Sequence, residues 1–212
     1  MRNYNFVDKI IVECDKAINT VLAKSQQSSR PVPGNDLEPP QLSDDERKLA
    51  IRLMRVNHAG EVSAQALYQG QALTAKLPEV RDAMTQAAQE ENDHLAWCED
   101  RVHELGGYTS LLNPFWYVGS YILGAAAGQV GDKWSLGFVA ETETQVGKHI
   151  DEHIEKIGHN DTKSHAILAQ MKIDEAHHGA VAMQAGGVEL PPPVKFIMSW
   201  ASKVMTTTSY RI

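Results

Sequence analysis

The sequence predicts an all-α protein, a four-helix bundle with a long apolar crossover and extra helices at both termini. Four long segments carry apolar residues at helical spacing, their ends carry helix start and stop signals, and no stretch alternates as a strand would. At 212 residues the chain is long enough for one domain with a sizeable core and short appendages.

The elements follow in order. Residues 1–24 hold an amphipathic helix whose apolar positions are Phe6, Ile10, Ile11, Cys14, Ile18, Val21 and Leu22. Residues 25–42, rich in Ser, Gln and Pro, read as a flexible linker closed by Pro39 and Pro40. The bundle occupies residues 43–190. Ser43 and Glu46 form a capping box that starts a helix over about 44–75. Pro78 suits the first position of the next helix, and Gly106 and Gly107 stop it. A third helix spans about 133–157, halted by Gly158; the fourth begins near Asp161 and ends at Gly186 and Gly187. The crossover, at about 108–131, has no charged residue before Gly131 and is most apolar from Phe115 to Gly128. Residues 191–212 form a C-terminal amphipathic helix. Two helical hairpins joined by the crossover result.

Composition narrows the function. A hydrophobic fraction of 42% is that of a globular protein, and a net charge of −7 argues against a nucleic-acid partner. Two cysteines, Cys14 and Cys98, are too few for a disulfide framework and form no CxxC pair, which fits a reducing cytosol. The first residues contain no apolar signal segment and no Arg-rich transit pattern, so no targeting peptide is expected.

The chemistry lies in a repeat. Glu91-Asn-Asp-His94 and Glu175-Ala-His-His178 are two Glu-x-x-His pairs, and side chains three apart on a helix share a face. Glu61 precedes the first pair by 30 residues and Glu143 the second by 32, each among apolar neighbours. Leu53, Val56, Ala64 and Tyr68 share the Glu61 stripe; Val80, Met84, Ala87, Leu95, Cys98 and Val102 share that of Glu91. Leu136, Val139, Val146, Ile150 and Ile157 flank Glu143; Leu168, Met171, Ala182 and Ala185 flank Glu175. All four glutamates thus point into the core, where four unpaired carboxylates would be prohibitively costly or forced to protonate. Two divalent cations balance four carboxylates and two neutral imidazoles. Oxygen and nitrogen donors without thiolate favour iron or manganese over structural zinc. One Glu from each of two helices plus Glu-x-x-His from two others is the di-metal pattern of ferritin-like bundles. Glu91 and Glu175 would bridge, with Glu61 and Glu143 terminal.

Other polar residues have competing readings. His177 adjoins His178 but leaves its face. His58 and His149 are either hydrogen-bond or proton-relay partners of the ligands, or surface and satisfied core positions. Glu90 and Asp174, each just before a bridging glutamate, are either partners of the histidine N–H groups or solvated acids.

These residues resemble a known family. Arg55-Val-Asn-His-Ala-Gly-Glu61, Glu91-Asn-Asp-His-Leu95, the Glu143 helix with His149, and Asp174-Glu-Ala-His-His178 are similar to the demethoxyubiquinone hydroxylases of ubiquinone biosynthesis. The resemblance runs from about Leu49 to Gly187 and leaves out the N-terminal helix and linker. It implies that Glu61, Glu91, His94, Glu143, Glu175 and His178 bind two irons, and that the substrate is a demethoxyubiquinol hydroxylated on its ring with O₂. The alternatives are a ferritin- or rubrerythrin-like storage or peroxide-scavenging bundle, and a membrane-associated scaffold with a structural metal. Storage predicts a polar exterior, and rubrerythrins usually add a Cys₄ module that two cysteines cannot supply. Expected partners are a polyprenyl quinol, O₂ and the membrane surface; a second copy of the chain and other ubiquinone-biosynthesis proteins are further candidates. The crossover is too interrupted to span a bilayer, which needs about 20 consecutive apolar residues. Peripheral or monotopic attachment to the cytoplasmic face of the cell membrane is expected, with Phe115, Trp116 and Tyr117 near the headgroups. The competing reading packs this segment against the bundle or a second subunit.

Overall fold

The structure is a computed structural model and describes residues 6–21, 28–38 and 41–212. Among these the chain forms seven α-helices and no strand: α1 (Phe6–Val21), α2 (Asp44–Thr74), α3 (Pro78–Glu104), α4 (Asn113–Val130), α5 (Asp132–Ile157), α6 (Thr162–Gln184) and α7 (Pro192–Ser209). The hairpins α2–α3 and α5–α6 form a ferritin-like bundle, and α4 is the connection between them.

The ends obey local chemistry. The Ser43 hydroxyl accepts from the Glu46 amide while the Glu46 carboxylate takes the Ser43 amide, so the capping box is complete. Asp161 caps α6 through the Ser164 amide. Its carboxylate also accepts from Arg101 Nη2 at 2.6 Å, and Arg101 Nε donates to Ser164 Oγ, tying the end of α3 to the start of α6. Asp132, opening α5, accepts from the amides of Lys76 and Leu77 and fixes the α2–α3 turn.

Most of the crossover is the helix α4, and it lies on α2 at very short range. Cβ atoms built on Gly124 and Gly70 would each lie 2.2 Å from a backbone oxygen, of Leu67 and Tyr121 respectively, so only glycine permits this approach. Tyr117 is buried, with its hydroxyl donating to Gln69 Oε1, which corrects the expectation that it faces headgroups. Phe115, Val118, Ile122 and Leu123 project outward instead.

Two further expectations change. In α1 the predicted stripe residues Ile11, Cys14 and Ile18 are exposed. The helix docks through an adjoining face that takes in Val21 of the stripe: Glu13 accepts from the Tyr121 hydroxyl, Thr20 donates to Gln65, and Ala17 and Val21 pack beside Tyr117. Leu22, Pro39, Pro40 and the side chains of Phe6 and Ile10 lie outside the described residues. Ser28, Ser29 and Arg30, within the segment read as a linker, bond to α3 and α6. Ala185 is exposed because α6 ends at Gln184.

Candidate metal centre

The bundle core contains two apolar layers. Met54, Trp97, Ile150, Ile167, Leu168 and Met171 belong to one; Tyr68, Met84, Leu136, Val139 and Ala182 belong to the other. The acids of the repeat are buried with them: Glu61 on α2, Glu91 on α3, Glu143 on α5 and Glu175 on α6.

All six predicted residues come together, in two overlapping sets. Glu61, Glu91, His94 and Glu175 each offer a donor atom within 4.8 Å of the others, and so do Glu91, Glu143, Glu175 and His178. Glu91 and Glu175 belong to both sets. The His94 Nδ1 lies 3.0 Å from Glu91 Oε2 and 3.2 Å from Glu175 Oε1. The His178 Nδ1 lies 3.2 Å from Glu91 Oε1.

The outer nitrogens are held by acids from the opposite helix. His94 Nε2–H on α3 donates to Asp174 Oδ2 on α6 at 2.9 Å, and His178 Nε2–H on α6 donates to Glu90 Oε2 on α3 at 2.8 Å. A carboxylate on Nε2 fixes the ring and leaves Nδ1 facing the cluster. Of the two roles that the sequence allows for Glu90 and Asp174, both residues take that of histidine partner. His177 is exposed, as its position on the helix predicts. His149 bonds instead to Ser202 of α7 at 3.0 Å, and the His58 Nδ1 accepts from Asn113 of α4.

Charge shows what the arrangement lacks. Burial pushes Glu61 and Glu143 well above the usual carboxylate range, reinforced by the charges of neighbouring glutamates. Burial opposes charge on the histidines too. Their carboxylate neighbours outweigh it, raising His94 well above its ordinary value and His178 to about 11. Glu61 Oε2, Glu91 Oε1, Glu143 Oε2 and His178 Nδ1 are buried without a hydrogen-bond partner among the described residues. Hard oxygen donors and imidazole, with orphaned lone pairs turned inward, fit divalent metal.

Two features escaped the sequence. The Tyr68 hydroxyl donates to Glu143 Oε1, though Tyr68 reads from sequence only as a core residue. A tyrosine on an inward stripe needs a partner for its O–H, and that was the available signal. Arg30, bonded to Asp93 and Asp174, gave none, because its surroundings have the composition of a linker. Beside the cluster lies a cavity of about 140 Å³ lined by Met84, Ala87, Leu136, Val139 and Ala182, with Tyr68 and His178 among its walls.

A four-helix bundle that turns a Glu from each of two helices and a Glu-x-x-His pair from two others onto one centre is a ferritin-like protein with a cluster able to hold metal. The particular family follows from comparison with known proteins. The chain belongs to the family described as ubiquinone biosynthesis protein COQ7, whose model matches residues 48–209. It is 57% identical over 211 residues to the 3-demethoxyubiquinol 3-hydroxylase of Nitrosococcus oceani, covering 100% of this chain and 99% of that one. The protein of that name from Pseudomonas fluorescens is 54% identical, covering 100% and 98%; that from Nitrosomonas europaea is 53% identical, covering 96% and 98%. None of these carries the name of a storage or peroxide-scavenging protein.

Proposed function

We propose that this chain hydroxylates the ring of a demethoxyubiquinol with O₂ at a carboxylate-bridged pair of irons. The observation that carries this reading is the sharing of Glu91 and Glu175 between two donor sets, each completed by one histidine and one further glutamate. Glu61 and His94 would hold one ion and Glu143 and His178 the other. When bound, the irons would supply the redox chemistry that activates O₂, one oxygen atom entering the ring and the other leaving as water with two electrons and two protons from a reductant.

The protein's own residues supply order and exclusion. Asp174 and Glu90 hold the two imidazoles in one tautomer. Tyr68 restrains Glu143 through its hydroxyl. The apolar walls of the adjoining cavity would receive an aromatic ring and keep water from the centre.

The substrate's tail decides where this happens. Each buried CH₂ contributes about 0.8 kcal/mol, so drawing a long isoprenoid chain into water is very costly and the ring must be reached from the bilayer surface. Phe115, Ile122 and Leu123 on α4, and Phe196, Ile197 and Trp200 on α7, are exposed. Among the described residues no helix is long and apolar enough to cross a membrane. Monotopic attachment at the cytoplasmic face, through α4 and α7, answers both observations.

A strain lacking this protein and any compensating hydroxylase should accumulate the demethoxy quinone and regain ubiquinone when the intact gene returns. Purified wild-type protein should hold two irons per chain. Glu143→Ala should restore no ubiquinone although the protein accumulates, because one ion loses a terminal ligand. Normal ubiquinone in the deletion strain would overturn the reading, as would full restoration by Glu143→Ala.

A further inference from the structure

Residues 28–38 precede the stretch that the family model matches, yet they cross the two helices that carry the Glu-x-x-His pairs. Arg30 Nε donates to Asp93 Oδ2 of α3 at 2.7 Å, and Arg30 Nη1 donates to Asp174 Oδ2 of α6 at 2.8 Å. The guanidinium lies 4.7 Å from the centre of the Trp97 ring, and Trp97 Nε1 donates to Ser28 Oγ. The Ser29 amide takes the other oxygen of Asp93 at 2.7 Å. Downstream, Val32 packs on the core, and Gly34 lies so close to α6 that a Cβ there would be 3.0 Å from Ala166.

The oxygen of Asp174 that receives Arg30 is also the one that receives His94 Nε2. Among the described residues the other half of the centre has no such clamp in its outer contacts: Glu90, which holds His178, receives the amide of Gln86 on its own helix. We infer that Arg30 is a positioning residue for the His94 half of the metal centre, aiming that imidazole through Asp174 while its planar guanidinium fixes α3 against α6. A guanidinium can serve two carboxylates in one plane, which an ammonium does with less geometric control. The inference rests on the metal reading above and adds a prediction that this reading does not make: the two ions respond differently to one residue outside their ligand shells.

The test uses full-length, iron-loaded protein, with iron release to a chelator and the Mössbauer spectrum of the two irons as readouts. Arg30→Gln should release one of the two irons about tenfold faster than wild type, the lower end of what loss of an outer partner costs. It should shift one Mössbauer doublet and leave the other in place. Glu90→Gln should shift the doublet that Arg30→Gln leaves alone, which assigns each signal to its half. Arg30→Lys should release iron at an intermediate rate. Wild-type doublets and release rates in both Arg30 variants would overturn the inference. Equal acceleration at both irons would overturn it too, since general loosening of the bundle affects both halves. A wild-type chain that takes up no pair of irons brings down the metal reading, and this inference with it, before any variant is compared.

Discussion

Of the residues from Arg55 to Glu61, only Glu61 belongs to the cluster, and Arg55, Asn57 and His58 hold neighbouring elements. Arg55 Nε donates to the Tyr108 carbonyl and its guanidinium lies 4.3 Å from the centre of that ring. Asn57 accepts from His153 Nδ1 and donates to the Leu53 carbonyl. His58 meets Asn113 at the start of α4. Burial holds both His58 and His153 down to about 4; Glu99 opposes this at His58, while His103 adds to it. His149 and Lys156 add to it at His153, and Glu152 opposes. Both rings are therefore neutral in the fold near pH 7. The unfolded chain gains protons on them below about pH 6.5. The stability they contribute is present above that value and is lost as the pH falls toward 4. Each can remove up to about 3 kcal/mol over that window. Urea midpoints of iron-loaded protein should fall from pH 7 to pH 5, and His153→Gln should show a shallower fall than wild type. Equal slopes would show that His153 is already charged in the fold. At this scale the six cluster residues were legible because acids on apolar stripes need an explanation. Tyr68 and Arg30 were not, because their partners come from other helices.

Helix α4 is attached to α2 by what its glycines lack. A side chain at Gly124 meets the backbone carbonyl of Leu67, which cannot rotate away, so the helices must separate. A Cβ added at Gly119 of the same helix would meet nothing within 4 Å. Gly124→Val should therefore cost about 1–3 kcal/mol or more, the range for overpacking. Gly119→Ala should be neutral or stabilising by up to about 1 kcal/mol through helix propensity alone. Denaturant melts of the two variants separate these outcomes, and a Gly124→Val variant as stable as Gly119→Ala would overturn the close approach of α4 to α2. Bundle helices were readable to within a residue or two because caps, prolines and glycines mark their ends. The crossover was readable as apolar but not as a helix, since its glycines lower propensity and serve an approach visible only in three dimensions. The docking face of α1 was read only in part for a related reason: its partners include the polar Tyr121 and Gln65, so Ile11, Cys14 and Ile18 of the apolar stripe stay exposed while Val21 packs inward.

The whole molecule presents two apolar surfaces that the bundle does not cover. On α4 Phe115 is 72% exposed, and on α7 Trp200 is 65% exposed, too much large apolar surface to be left facing water without a role. With a net charge of −7, attraction to anionic lipid is not the main force. Lys195 on α7 is already paired with Glu141 and Glu189. Attachment should then depend on apolar burial and change little with salt. Wild-type protein should co-sediment with phosphatidylethanolamine–phosphatidylglycerol vesicles at both low and high ionic strength, and carbonate should release it because no helix among the described residues is long and apolar enough to span. Burying a Phe or Ile side chain contributes roughly 1.5–3 kcal/mol, so even partial insertion predicts about a tenfold or greater loss of binding in the double variant Phe115→Ser, Ile122→Ser. Its iron content should stay at the wild-type level, because neither side chain touches the cluster. Binding that survives the double variant and vanishes in high salt would replace apolar insertion with charge. Wild-type protein left wholly in the supernatant would remove the bilayer from the proposal and leave these faces to a protein partner.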